Sequence, residues 1–168
     1  MSAPMLVFGW GNLSRGDDAL GPLFVQKLQV LASSHAECQV EFMEDYQLQI
    51  EHALDLVSRE RVLFVDASLT CIVPFEVRRL RASRDATFTT HAISPESVMQ
   101  VYRELYGAEP PPCTLLAIRG TRFELGELPD EATLAHLDQA LTWGLAWLGA
   151  IRDQRACADR RRLGSRPG

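Results

Sequence analysis

The chain has 168 residues, is 46% hydrophobic and 23% charged, and carries a formal net charge of −5. That is the composition of one ordinary globular domain, long enough to bury a core without disulfide or metal staples. The negative balance speaks against nucleic acid or an anionic membrane as partner, and no apolar run approaches the ~20 residues of a membrane span.

The opening MSAPMLVFGWGN has no basic region before its apolar run, so no signal peptide is expected. Met5 to Phe8 is a short apolar run closed by Gly9 and Gly11, the pattern of a buried strand. Leu20, Leu23, Phe24, Leu28 and Leu31 recur with a helical period, and Gln39 to Met43 alternates as a strand does. Ile50, Ala53, Leu54 and Val57 again have helical spacing. Val62 to Val65 is a continuous apolar run, as expected of a parallel strand covered on both faces. Pro74 to Leu80 reads as a strand near an edge, because proline cannot donate to a ladder. Ser94 and Pro95 open a helix as N-cap and first helical residue, and Gly107 ends it. Cys113 to Ile118 is a further buried strand, and a long helix runs from Asp130 to Ile151.

Strands alternating with helices imply crossover units, hence an α/β fold with a mostly parallel twisted sheet in the middle of three layers. Residues 1–152 are expected to form one domain. Residues 153–168 belong to a basic C-terminal tail, expected to be flexible; from Arg152 onward it carries six arginines against Asp153 and Asp159.

In such a sheet, ligands bind beyond the carboxyl ends of the strands. Asp17 and Asp18 follow the first strand after a glycine-rich turn, Asp66 ends the run VLFV, and His91 ends Thr87 to Thr90. Each has an ordinary alternative: Asp18 as cap of the helix from Leu20, Asp66 as cap of a turn, His91 as partner of a backbone group. Together, two carboxylates and an imidazole make an oxygen and nitrogen donor set suited to a borderline divalent ion such as nickel or zinc. A nucleotide site is disfavoured: the G-x-G-x-x-G spacing fails after Gly11, no phosphate-loop Lys-Ser/Thr follows, and the carboxylates would repel phosphate. No nucleophile motif is visible around Ser14, Cys71 or Cys113. The four cysteines, which include Cys38 and Cys157, form no C-x-x-C pair and read as reduced thiols of a cytoplasmic protein.

The stretch Val7 to Gly21 (VFGWGNLSRGDDALG) resembles the opening signature of the nickel–iron hydrogenase maturation proteases, roughly G-x-G-N-x-x-x-x-D-[DE]-x-x-G. Phe64-Val-Asp-Ala67 resembles the family's strand-end aspartate segment. Thr90-His91 with Pro95 resembles its histidine segment, and Ala117 to Gly126 its late glycine-containing stretch. Ala19 stands where the family commonly has glycine. The resemblance runs in order from residue 5 to about 150. It implies an endopeptidase that removes the C-terminal extension of a hydrogenase large-subunit precursor, with Asp18, Asp66 and His91 as catalytic and metal-contacting residues. Glu96 is the alternative third ligand. The implied nickel is carried by the substrate as recognition element and is not permanently bound. A monomeric cytoplasmic protein without nucleic-acid or membrane partner is expected. Two other readings stay open: a nickel-binding assembly factor without peptidase activity, and a small-molecule or nucleotide-binding α/β domain.

Overall fold

The computed structural model describes residues 2–33, 39–84 and 93–163, with side chains described as far as residue 149. The elements are β1 (Met5–Trp10), a 3-10 turn (Gly16–Ala19), α1 (Leu20–Ala32), β2 (Val40–Asp45), a 3-10 helix (Ile50–Leu56), β3 (Arg61–Ser68), β4 (Phe75–Arg79), α2 (Pro95–Tyr106), β5 (Cys113–Arg119) and α3 (Glu131–Leu163). The five strands form one sheet in the order β2-β1-β3-β5-β4. Four are parallel, and β4 runs antiparallel to β5 at the edge.

The apolar runs of β1 and β3 become the centre of the sheet. Met5 to Phe8 and Val62 to Val65 are all 2% exposed or less, which only strands covered on both faces achieve. Side chains alternate between the two faces. Val7, Leu63, Val65, Leu116 and Ile118 pack under α1 and α3. Leu6, Phe8, Val62, Phe64 and Leu115 pack against α2 and the 3-10 helix. The expected three-layer α/β architecture is therefore the observed one.

The helix signals at α2 are read correctly. The Ser94 side chain accepts from Ser97 N–H at 3.1 Å, Pro95 opens the helix, and Gly107 closes it at φ 60°. Two spans differ from expectation. Ile50–Leu56 is 3-10 rather than α. The chain turns extended at Val57 and reaches φ 61° at Ser58, so too few residues remain for two α-turns. α3 runs on to Leu163 and does not stop at Ile151. Residues 152–163 are rich in arginine and alanine, good helix formers, and hold no glycine or proline before Gly164. No helix among the described residues is long and apolar enough to cross a membrane.

Candidate active site at the carboxyl end of the sheet

Strand register sets out a row of side chains at the carboxyl end. Trp10 pairs with Asp45 on one side. On the other, Gly9 pairs with Val65, so Trp10 lies beside Asp66. Asp66 pairs with Ala117, and Ala117 with Glu76. Residues in register share a face, here the α2 face to which Phe8, Phe64 and Leu80 also belong. Three carboxylates, Asp45, Asp66 and Glu76, thus stand on one line. Neighbouring carboxylate positions are two strands, or about 10 Å, apart.

Asp18 joins Asp66 from the glycine-rich loop. Gly11 adopts φ +144°, and a Cβ there would lie 2.0 Å from the Asp18 carbonyl oxygen. A Cβ on Gly21 would meet the Trp10 carbonyl oxygen at 2.3 Å. Only glycine lets the loop and the start of α1 close down onto the end of β1 in this way. The Asp18 carboxylate Oδ2 accepts from Asn12 N–H at 3.0 Å. It does not cap α1, whose N-cap position is Ala19, so the capping role is not the one the residue plays. Asn12 in turn donates to the Tyr46 hydroxyl at 3.0 Å, which ties the loop to the end of β2.

Asp17, one residue earlier, does something different. It is fully buried and accepts at Oδ2 from Thr121 N–H (2.7 Å), Arg122 N–H (2.9 Å) and the Thr133 hydroxyl (3.0 Å), and at Oδ1 from Asp130 N–H (3.0 Å). Its own N–H donates to the Arg122 carbonyl at 2.8 Å. Burial alone would raise its pKa, but these hydrogen bonds outweigh that and hold the carboxyl below its ordinary range. Asp17 fastens the glycine-rich loop to the β5–α3 connection and so fixes Asp18 where it stands.

Asp66 has the opposite environment. Burial raises its pKa to about 7, one backbone hydrogen bond from Ala67 counteracts, and the negative charge of Asp18 raises it further. Phe64 and Trp10, whose rings meet edge to face at 5.9 Å, supply apolar surroundings on its face. A carboxyl group poised near neutrality between apolar walls and a second carboxylate is the kind of group that exchanges protons at working pH.

Beside it lies a cavity of about 270 Å³ walled by Asp66, Ser68, Cys71, Glu76 and Arg78, with the small Ala117 among its lining. Arg78 pairs with Glu96 at 2.7 Å. Glu96, the alternative third ligand, is therefore committed to a guanidinium. Burial raises the Cys71 thiol pKa, and the hydrogen bond with Ser68 and the charge of Arg119 do not reverse this. Cys113 is pushed up to about 12 by burial. Neither thiol is a thiolate nucleophile, in keeping with the absence of a nucleophile motif.

At the far end of the row, His52 Nδ1 accepts from Gln49 N–H at 2.9 Å. Its Nε2 therefore carries the proton and donates to Asp45 Oδ2 at 3.1 Å. This pair, like Glu76 and the Asp17 clamp, has no local sequence signature. The row follows from register, and the clamp from contacts more than a hundred positions apart. His91 lies outside the described residues. Among those described, no three metal-ligating side chains converge; Asp18 and Asp66 are the two expected ones that the fold brings together.

No family model and no curated protein sequence matches the chain. Solved structures do. The NiFe hydrogenase maturation protease HycI from Thermococcus kodakarensis KOD1 is similar at TM-score 0.65 and 21% identity, covering 87% of this chain and 92% of that one. The hydrogenase maturating endopeptidase HybD from E. coli is similar at TM-score 0.65 and 23% identity, covering 89% and 93%. A hydrogenase 2 maturation peptidase from a Thaumarchaeota archaeon reaches TM-score 0.60 and 24% identity over 86% and 97%. The five-stranded, doubly covered sheet of this chain is the fold of those hydrogenase maturation proteases.

Proposed function

We propose that the protein is an endopeptidase that removes the C-terminal extension of a nickel-loaded hydrogenase large-subunit precursor in the cytoplasm. The observation that carries the proposal is the pairing of Asp18 and Asp66 at the carboxyl end of a sheet shared with maturation proteases, with Asp66 held near neutral pKa. The nickel belongs to the substrate. Carboxylate oxygens suit a borderline divalent ion, and the sequence resemblance names His91 as the imidazole that would join them, so only a metal-bearing precursor would gain the full set of contacts.

Hydrolysis needs a group that takes a proton from water and returns it to the leaving amine. Asp66, with a pKa of about 7, is matched to both halves of that task at neutral pH. Asp18, kept in place by Asn12 and the Asp17 clamp, stays beside it as a second carboxylate. The substrate's nickel would be held by these residues, would orient the segment, and would supply Lewis acidity beside the scissile bond.

The test is incubation of the purified protein with nickel-loaded and nickel-free large-subunit precursor, followed by mass measurement. The proposal expects loss of a C-terminal fragment from the loaded precursor alone. Binding of the loaded precursor without any mass change would identify a non-catalytic assembly factor instead. Equal cleavage of both forms would remove nickel as the recognition element.

A further inference from the structure

From the outer edge of β4 we infer that this strand takes the precursor's C-terminal segment as an added sixth strand, an inference that rests on the peptidase reading above. Among the described residues β4 ends the sheet, and its hydrogen bonds to β5 reveal which backbone groups it spends. Pro74 O accepts from Arg119 N–H at 3.0 Å, and Leu80 N–H donates to Cys113 O at 2.9 Å. In an antiparallel pair the inward and outward groups alternate. Pro74, Glu76, Arg78 and Leu80 therefore face β5, and the N–H and C=O of Phe75, Val77 and Arg79 face outward. No described residue completes them. An edge that the described residues leave unpaired is a template for an extended chain.

The edge is continuous with the site. Glu76 and Arg78 of β4 are walls of the cavity that holds Asp66. At the upstream end of the strand, Ile72 and Val73 are 71% and 57% exposed, an apolar step for an arriving peptide. At the downstream end, Arg79 and Arg81 are exposed and form no ion pair among the described residues. In a chain of net charge −5 these free guanidinium groups favour an acidic or carboxylate-bearing partner there. The occupant is thus an extended peptide that leaves the Asp18–Asp66 end and runs parallel to β4. Its apolar residues lie at Ile72 and Val73, and its acidic residues or terminal carboxylate at Arg79 and Arg81. Main-chain bonds to alternate residues supply affinity without demanding one sequence.

The experiment uses the full-length protein and a synthetic peptide covering the C-terminal extension of a large-subunit precursor. Amide hydrogen exchange is followed by NMR, and precursor cleavage is measured alongside. The amides of Phe75, Val77 and Arg79 should exchange freely in the isolated protein and slow about tenfold or more with peptide. Backbone N-methylation of one alternate set of peptide residues should weaken binding by about tenfold, and of the other set hardly at all. Arg79→Glu with Arg81→Glu should weaken binding further at low salt. Absence of binding, binding without protection of those three amides, or equal sensitivity to both N-methyl sets would overturn the inference. So would protection already present in the free protein together with a dimer in sedimentation, which would assign the edge to a second copy. Cleavage without edge protection removes this inference only, and edge protection without cleavage removes the peptidase reading only.

Discussion

Asp17, fully buried, and Asp66, half-buried, stand at the same end of the sheet, and they end up as different chemical objects. Asp17 is surrounded by donors: three backbone N–H groups and a threonine hydroxyl point at it, and its carboxyl stays ionised below the ordinary range. Asp66 is partly desolvated, with one backbone donor and a like charge nearby, and its pKa rises to about 7. The residue type is the same, and so is the end of the sheet. What differs is whether the fold supplies hydrogen-bond donors to replace the water it removed. The first arrangement holds two loops together; the second leaves a carboxyl group free to exchange a proton.

The largest effect that would break this comparison is at Asp17. Asp17→Asn keeps the volume but turns an NH₂ group toward donors, leaving buried N–H groups unpaired. It should destabilise the protein by about 3–5 kcal/mol. Because ~1 kcal/mol shifts the midpoint by about 2–4 °C at this size, calorimetry should register a fall of roughly 10 °C. A change of only a degree or two would show that the carboxylate is not the clamp described here.

Asp66→Asn should act with the opposite sign. The folded-state pKa lies above the ordinary value of 3.8, so the fold binds the proton more tightly than the unfolded chain between pH 3.8 and about 7. The stability this gives is fully present below pH 3.8 and is lost as pH rises through 7. The neutral amide escapes that loss, so the variant should exceed the native protein by about 4 kcal/mol at pH 8 and match it near pH 4. Denaturant unfolding at the two pH values checks this, and equal stability at pH 8 would contradict it. Precursor cleavage by the same variant should be lost, since an amide neither takes nor gives the proton.

Asp18→Asn sharpens the comparison with the smallest effect on the fold. Its carboxylate accepts a single backbone N–H, from Asn12, and the amide oxygen can accept the same bond. Stability should change by under about 1 kcal/mol. Removing its charge should lower the pKa of Asp66, and processing of the nickel-loaded precursor should fall sharply because a neutral amide is a poor ligand for a divalent cation. Normal processing would dismiss Asp18 from the site.

Most of the fold was legible because its signals are local. The apolar runs of β1, β3 and β5, Pro74 at the edge, and the Ser94-Pro95 and Gly107 ends of α2 each report their own element. Asp18 and Asp66 were legible as residues at strand ends. The Asp17 clamp was not, because its donors Thr121, Arg122 and Asp130 lie in a loop without periodicity, Thr133 lies in the first turn of α3, and all meet it only in the finished fold. Glu76 and Asp45 enter the row through register, which no single strand encodes. The 3-10 form of Ile50–Leu56 depends on where the chain turns after it, and helical spacing alone does not distinguish it from α.

The most direct test is a carbon-13 NMR titration of the carboxyl groups of Asp17 and Asp66 in one sample. The account predicts a midpoint near 7 for Asp66 and one below 3.8 for Asp17. Ordinary titration of Asp66 around pH 4, level with an exposed aspartate, would contradict it.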